Sequence, residues 1–229
     1  MIGPSSDAAG IIAHLETLRS EEAIAGMARF GISTETALGI SNPDLQKIAR
    51  LVKRNHRRAL DLWKTSIREA RMLAIYTADP AALTQGEAWA WADDFASWEI
   101  VDTAADLFVE TPFWQALIAG FAEDEREFVR RTAFAMIAGA AVHRKKEPDA
   151  TFIGYLPLIE RHSADPRNFV RKAVNWALRN IGKRNHACQG PALRLAERLS
   201  EAGDKTARWI GKDAAKELSG EKIMARLKG

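Results

Sequence analysis

Apolar residues recur along this chain at spacings of three and four, as in Ile67, Ala70, Leu73 and Ala74 and again in Phe169, Val170, Ala173, Val174, Ala177 and Leu178. That spacing lines them up on one face of an α-helix. The period of two that marks a half-buried strand is nowhere sustained, no Asn-Gly or Asp-Gly pair offers a hairpin turn, and Ala, Leu, Arg, Glu and Lys dominate. The pattern therefore predicts an all-α protein.

Breakers cut the periodic stretches into short helices. Three N-terminal segments, about 7–19, 21–30 and 43–53, precede five predicted pairs: 57–65 with 66–77, 84–94 with 97–109, 111–123 with 126–140, 149–163 with 167–181, and 188–202 with 204–217. The second helices start 31, 29, 41 and 37 residues apart. Helix pairs at that period are the mark of HEAT-type solenoids, in which no pair buries its apolar face alone and neighbours stack into one core. Glu127-Phe128-Val129-Arg130-Arg131-Thr132-Ala133 and Asn168-Phe169-Val170-Arg171-Lys172-Ala173-Val174 open two of the second helices in the same phase. Loop signals at Ala78-Asp79-Pro80, His143 to Asp149 and Ala164-Asp165-Pro166 read as joints, because composition does not become linker-like around them. The expected fold is a curved right-handed solenoid of HEAT-like antiparallel helix pairs, in a single domain over 1–229.

Composition narrows the class. Apolar residues at 47% and charged residues at 28% exclude collagen-like and disordered chains. The apolar run Phe134 to Val142 is nine residues long, far short of the ~20 a spanning helix requires. The N-terminus has no basic segment ahead of an apolar one, so a cytoplasmic protein with no membrane partner is expected. The one cysteine, Cys188, excludes an internal disulfide and a multi-cysteine zinc site. No two of the five histidines are spaced to share a helix face, and neither a metal nor another cofactor is expected.

The net charge of +3 hides a strong division. Residues 1–125 carry 11 Lys and Arg against 19 Asp and Glu, while residues 126–229 carry 22 against 11. A basic half of that size favours a polyanionic partner. Inside the acidic half, Lys47 to Arg58 holds Lys47, Arg50, Lys53, Arg54, Arg57 and Arg58 with no acid, which taken alone reads more readily as a solvated helix face than as a binding patch.

Gly-rich phosphate loops, the G-x-S-x-G elbow and H-E-x-x-H are all absent. What stands out is aromatic. Trp98 precedes Asp102 by four residues, so an indole and a carboxylate share a helix face. Taken alone, such a Trp is better explained by core packing than by binding, and such an Asp is equally a solvated surface acid. Arg131 lies on the second helix of the next pair and Trp176 on that of the pair after, so the four residues converge if their helices share a phase. Arg171, Lys172 and Arg179 surround Trp176, and Lys183 and Arg184 follow. Cations interleaved with an aromatic suit a nucleic-acid backbone, although ordinary surface Lys and Arg would look the same.

The run of motifs GMARFGISTETALGISNPDLQKIAR, IREARMLA, SWEIVD, EFVRRTAFAMIAGAAVHRKK, NFVRKAVNWALRNIGKRN and KTARWIGKDAAKEL closely resembles the AlkD-like DNA alkylation repair glycosylases, bacterial proteins built from HEAT-like repeats. The resemblance covers most of the chain. It implies that Asp102 is the catalytic acid four residues after Trp98, Arg131 the active-site Arg in an R-T-A context, and Trp176 the second Trp in a K-A-x-x-W context. Glu99 and Ile100 depart from the family pattern beside the site. The resemblance further implies hydrolysis of the N-glycosidic bond of N3- or N7-alkylated purines in double-stranded DNA. It also implies a grip on the sugar and backbone without a deep base pocket. Arg171, Lys172, Arg179, Lys183 and Arg184 would be DNA-binding residues, and the protein is expected to be a monomer. Two other readings stay open on the sequence: a catalytically inactive HEAT-repeat protein that binds DNA structure, and a HEAT-type scaffold for a protein or RNA.

Overall fold

The computed structural model describes residues 2–228 as fifteen α-helices, with no strand among the described residues. The chain divides into two compact units, one ending at Trp114 and the other beginning at Gln115.

The first unit contains α1 (Ala8–Glu16), α2 (Glu21–Ala28), α3 (Asn42–Val52), α4 (His56–Trp63), α5 (Arg68–Thr77), α6 (Gln85–Ala92) and α7 (Trp98–Phe108). Short polar side chains start most of them. Asp7, Ser20, Ser41, Asn55 and Thr84 each accept a backbone N–H from the first turn, and Thr84 and Glu87 form a reciprocal capping box. Helix α5 packs against α3, α4 and α7. Leu62, Met72, Leu73, Val101 and Phe108 are fully buried; cutting Leu62 or Leu73 back to Ala would cost about 2–5 kcal/mol. Trp63 and Trp91 stack face to face, with ring centroids 4.3 Å apart and planes 8° from parallel.

The most unusual feature of this unit is charge in its interior. Glu69 is 0% exposed, and its carboxylate accepts the N–H groups of Leu38, Gly39 and Ile40. Gly39, at φ +81°, supplies the left-handed turn that aims these amides inward; a Cβ there would also meet the Ser20 carbonyl. Arg68 donates to Glu69 at 2.9 Å and reaches Glu99 with two bonds of 2.5 and 2.6 Å. This group ties the 37–40 loop, the start of α5 and the start of α7 into one block.

The second unit begins within α8 (Trp114–Glu123) and continues with α9 (Glu127–His143), α10 (Asp149–Gly154), α11 (Leu156–Arg161), α12 (Asn168–Gly182), α13 (His186–Ser200), α14 (Lys205–Leu218) and α15 (Glu221–Lys228). Helix α12 lies between α9 and α14, and α13 packs along α14. Their crossing is close at Gly211, where a Cβ would strike the α13 backbone at Leu199 and Ser200. The helix predicted over 149–163 is two, because Gly154 and then Pro157 interrupt it. Helix α15 was not expected. Helix α9 also runs three residues beyond the predicted end at 140.

Two joints repeat the same device. At the turn before α9, Asp124 accepts the N–H and Nε of Arg126 at 2.8 and 3.0 Å. Before α12, Asp165 accepts the same two groups of Arg167 at 3.1 and 2.9 Å. Each Asp-x-Arg turn thus supplies an acceptor that the N-cap Arg lacks. Arg130, one turn into α9, donates to Asp165 at 2.9 Å and links one joint to the next.

Candidate nucleic-acid site

The four predicted catalytic positions divide between the units: Trp98 and Asp102 in the first, Arg131 and Trp176 in the second. Trp98 is the first residue of α7 and Asp102 the fifth, so both sit on the face expected from their spacing, and both are half-buried. The indole is fixed by its edge, because Nε1 donates to the Phe30 carbonyl at 2.9 Å. Phe30 itself is 71% exposed.

The two departures from the family pattern have structural explanations. Glu99 is turned into the interior as the partner of Arg68, and Ile100 is core. Both therefore serve the placement of α7, and through it Trp98 and Asp102.

In the second unit Arg131 is 6% exposed. Its Nη1 donates to the Phe169 carbonyl at 2.8 Å, and its guanidinium stands 6.0 Å from the Phe169 ring. Arg131 thus joins α9 to the first turn of α12, the helix that carries Trp176. Trp176 is half-buried on the α12 face that also presents Lys172, Arg179 and Lys183.

The predicted DNA-binding cations have different surroundings. Lys172 is exposed. Arg171 lies with its guanidinium 5.1 Å from the ring of Trp209, on α14. Arg179 pairs with Glu217 and, at 3.2 Å, with Asp213, and Lys183 reaches Glu217 at 3.0 Å. The Arg179 side chain loses solvent, but the two carboxylates more than compensate, so its pKa is raised.

Arg184 has surroundings unlike those of the other four cations. Its side chain is 4% exposed and rests over the Phe152 ring, 4.2 Å from the centroid. It donates to Asp149 and to the carbonyls of Ala141, Arg144, Lys145 and Glu147. A cation placed there satisfies the orphan acceptors at the end of α9 and is taken up inside the protein. The basic motif around it gave no hint of that, because the acceptors are backbone groups about forty residues away in sequence.

Among the described residues no group of His, Cys, Asp and Glu is arranged to hold a metal ion, and no helix is long and apolar enough to cross a membrane. Sequence reasoning passed over Trp209, which is 38% exposed beside Arg171. Its signal was available in KTARWIGK, where a Trp follows a Lys by four residues as in KAVNW.

An all-α fold of stacked pairs with this register is that of the HEAT-like repeat proteins. A solved structure described as a new family of proteins related to the HEAT-like repeat DNA glycosylases, with affinity for branched DNA structures, matches 97% of this chain over 96% of its own at a TM-score of 0.78 and 17% identity. A designed armadillo repeat protein matches 76% of the chain over 92% of its own, at a TM-score of 0.37 and 16% identity. The model of the DNA alkylation repair enzyme family matches residues 11–218, and the chain belongs to that family. No curated protein matches it.

Proposed function

We propose that this protein is a DNA glycosylase that releases N3- or N7-alkylated purines by hydrolysing the N-glycosidic bond. The observation that carries the reading is the Trp98–Asp102 pair at the start of α7, half-buried, on one face and rigidly backed by the Arg68–Glu99 bridge, in a chain of the DNA alkylation repair enzyme family.

An N-alkylated purine is cationic and departs with the bonding electrons as a neutral base, so no dedicated acid is needed to protonate it. Positive charge moves to the sugar, which takes on oxocarbenium character. The Asp102 carboxylate stabilises that charge and orients a water, which adds to C1′ and gives up one proton. Trp98, on the same face as Asp102, meets the cationic nucleotide with its π face, contributing on the order of 0.5–2 kcal/mol. Arg131, buried against Phe169, acts as a positioning residue for the helix that bears Trp176.

The test is Asp102→Asn. Single-turnover release of 7-methylguanine or 3-methyladenine is expected to fall about 10²–10³-fold, with DNA affinity equal to or tighter than that of the parent. A variant that releases base at the parent rate refutes the assignment. A wild-type protein that binds DNA but frees no base would instead favour the second reading, recognition of DNA structure without chemistry.

A further inference from the structure

We propose that the outward face of α14 is a second DNA-binding surface, in which Lys205, Lys212 and Lys216 meet backbone phosphates and Trp209 stacks on a sugar or base between them. The inference rests on the DNA reading above only for the identity of the polyanion.

The face is defined by spacing. Lys205, Trp209, Lys212 and Lys216 follow one another at intervals of four, three and four residues, and all four are exposed. Those intervals keep them on one stripe of a helix. The opposite side, Thr206, Ala207, Ile210, Gly211, Ala214 and Leu218, is buried. On α12 the same residue types recur at the same intervals in Lys172, Trp176, Arg179 and Lys183. The stripe that holds the candidate Trp176 therefore has a counterpart on its neighbour.

The two stripes differ in how their charge is used. Arg179 and Lys183 on α12 are held by Asp213 and Glu217. Among the described residues Lys205, Lys212 and Lys216 enter no ion pair, and Lys222 and Arg226 add two more exposed cations around a cleft of about 580 Å³ at the end of α14, whose acids Asp213 and Glu217 are already engaged by Arg179 and Lys183. Three exposed lysines in a row repel one another, and an anion across from them removes that cost.

Trp209 gives the surface its specificity for nucleic acid. A Trp 38% exposed on a well-packed helix is unusual. Arg171 lies over its ring, 5.1 Å from the centroid, which fixes the indole, and the 38% of Trp209 that stays exposed is what a planar or sugar partner would meet. An acidic peptide that binds through its carboxylates alone leaves the indole unused. From Lys205 to Lys216 the stripe is about 16 Å long at 1.5 Å per residue. That length spans roughly five nucleotides of one strand at 3.4 Å each.

The test measures binding of a labelled, unmodified duplex by the full chain as potassium chloride is raised. Lys212→Ser with Lys216→Ser is expected to lower the slope of log K against log salt by about 1.8, that is about 0.9 per lost phosphate contact. Trp209→Ala is expected to weaken binding about 5–50-fold at one salt concentration, and Trp209→Phe to restore most of it. A matched pair in the first unit, Lys47→Ser with Lys64→Ser, removes the same charge and is expected to leave the slope in place. Parent-like binding by the α14 lysine pair, an equal loss in the control pair, or equal affinity for polyglutamate would overturn the proposal. The lysine pair is wholly on the surface, so it remains informative if Trp209→Ala disturbs packing. Base release is read separately: a protein that frees no base yet shows these binding effects refutes the glycosylase reading and supports this one.

Discussion

Single side chains in this protein are most informative where charge meets burial. Burial pushes the Asp165 carboxyl upward, but hydrogen bonds from Arg167 and Arg130 and their charge outweigh it and hold its pKa at about 2. A carboxyl depressed in the folded state stabilises the fold above its unfolded pKa, and the gain is lost as pH falls through the folded value. The window here runs from about pH 4 down to about pH 2, and the contribution at neutral pH is about 2 kcal/mol. Asp165→Asn is therefore expected to lower thermal stability at pH 7 and to flatten its decline across that window, read from melting curves at a series of pH values. An unchanged acid limb would contradict the role given to the Asp-x-Arg turn. Cys188 illustrates the opposite balance: burial, aided by Asp149, pushes its thiol up to about 11, which makes it an inert core residue at neutral pH.

The elements that carry the candidate site are held by groups that do not touch it. The start of α7 is fixed by Arg68 and Glu99, and Glu69 anchors the 37–40 loop to the same block. Removing one member leaves an uncompensated charge inside the protein, so Glu69→Ala or Glu99→Ala is expected to cost about 3–5 kcal/mol in denaturant unfolding. Exposed carboxylates such as Glu21 would cost a small fraction of that. Most helices were legible in the sequence because their signals are local: a capping Ser, Thr, Asp or Asn, an apolar stripe, a Pro or Gly at the end. The buried Arg68–Glu69–Glu99 group was not, because its members read as ordinary surface charge until α5 and α7 are brought together. The same limit explains Arg184, whose acceptors lie on another repeat, and the break in the 149–163 helix, where apolar periodicity outvoted Gly154 and Pro157.

Across the molecule, the division of charge is the property that a partner meets first. The region 126–229 carries an excess of eleven positive charges while the net charge is only +3. If about five phosphates are neutralised, binding is expected to weaken with salt at a log–log slope of roughly −4 to −5. A flat response in a titration of duplex DNA would point to a protein partner. The charge split and the Trp98–Asp102 spacing were both visible in the sequence. The use of each cation was not, since Arg179 and Lys183 find acids only through the α12–α14 packing. The Trp63–Trp91 stack of the first unit has an optical consequence. Two indoles stacked 4.3 Å apart are close enough for their electronic transitions to couple, and a twist between them about the stacking axis is expected to give a paired positive and negative band in circular dichroism. The second unit has only Trp176 and Trp209 from Gln115 onward, both in its cation stripes. Loss of the paired bands thus reports unfolding of the first unit separately from the second.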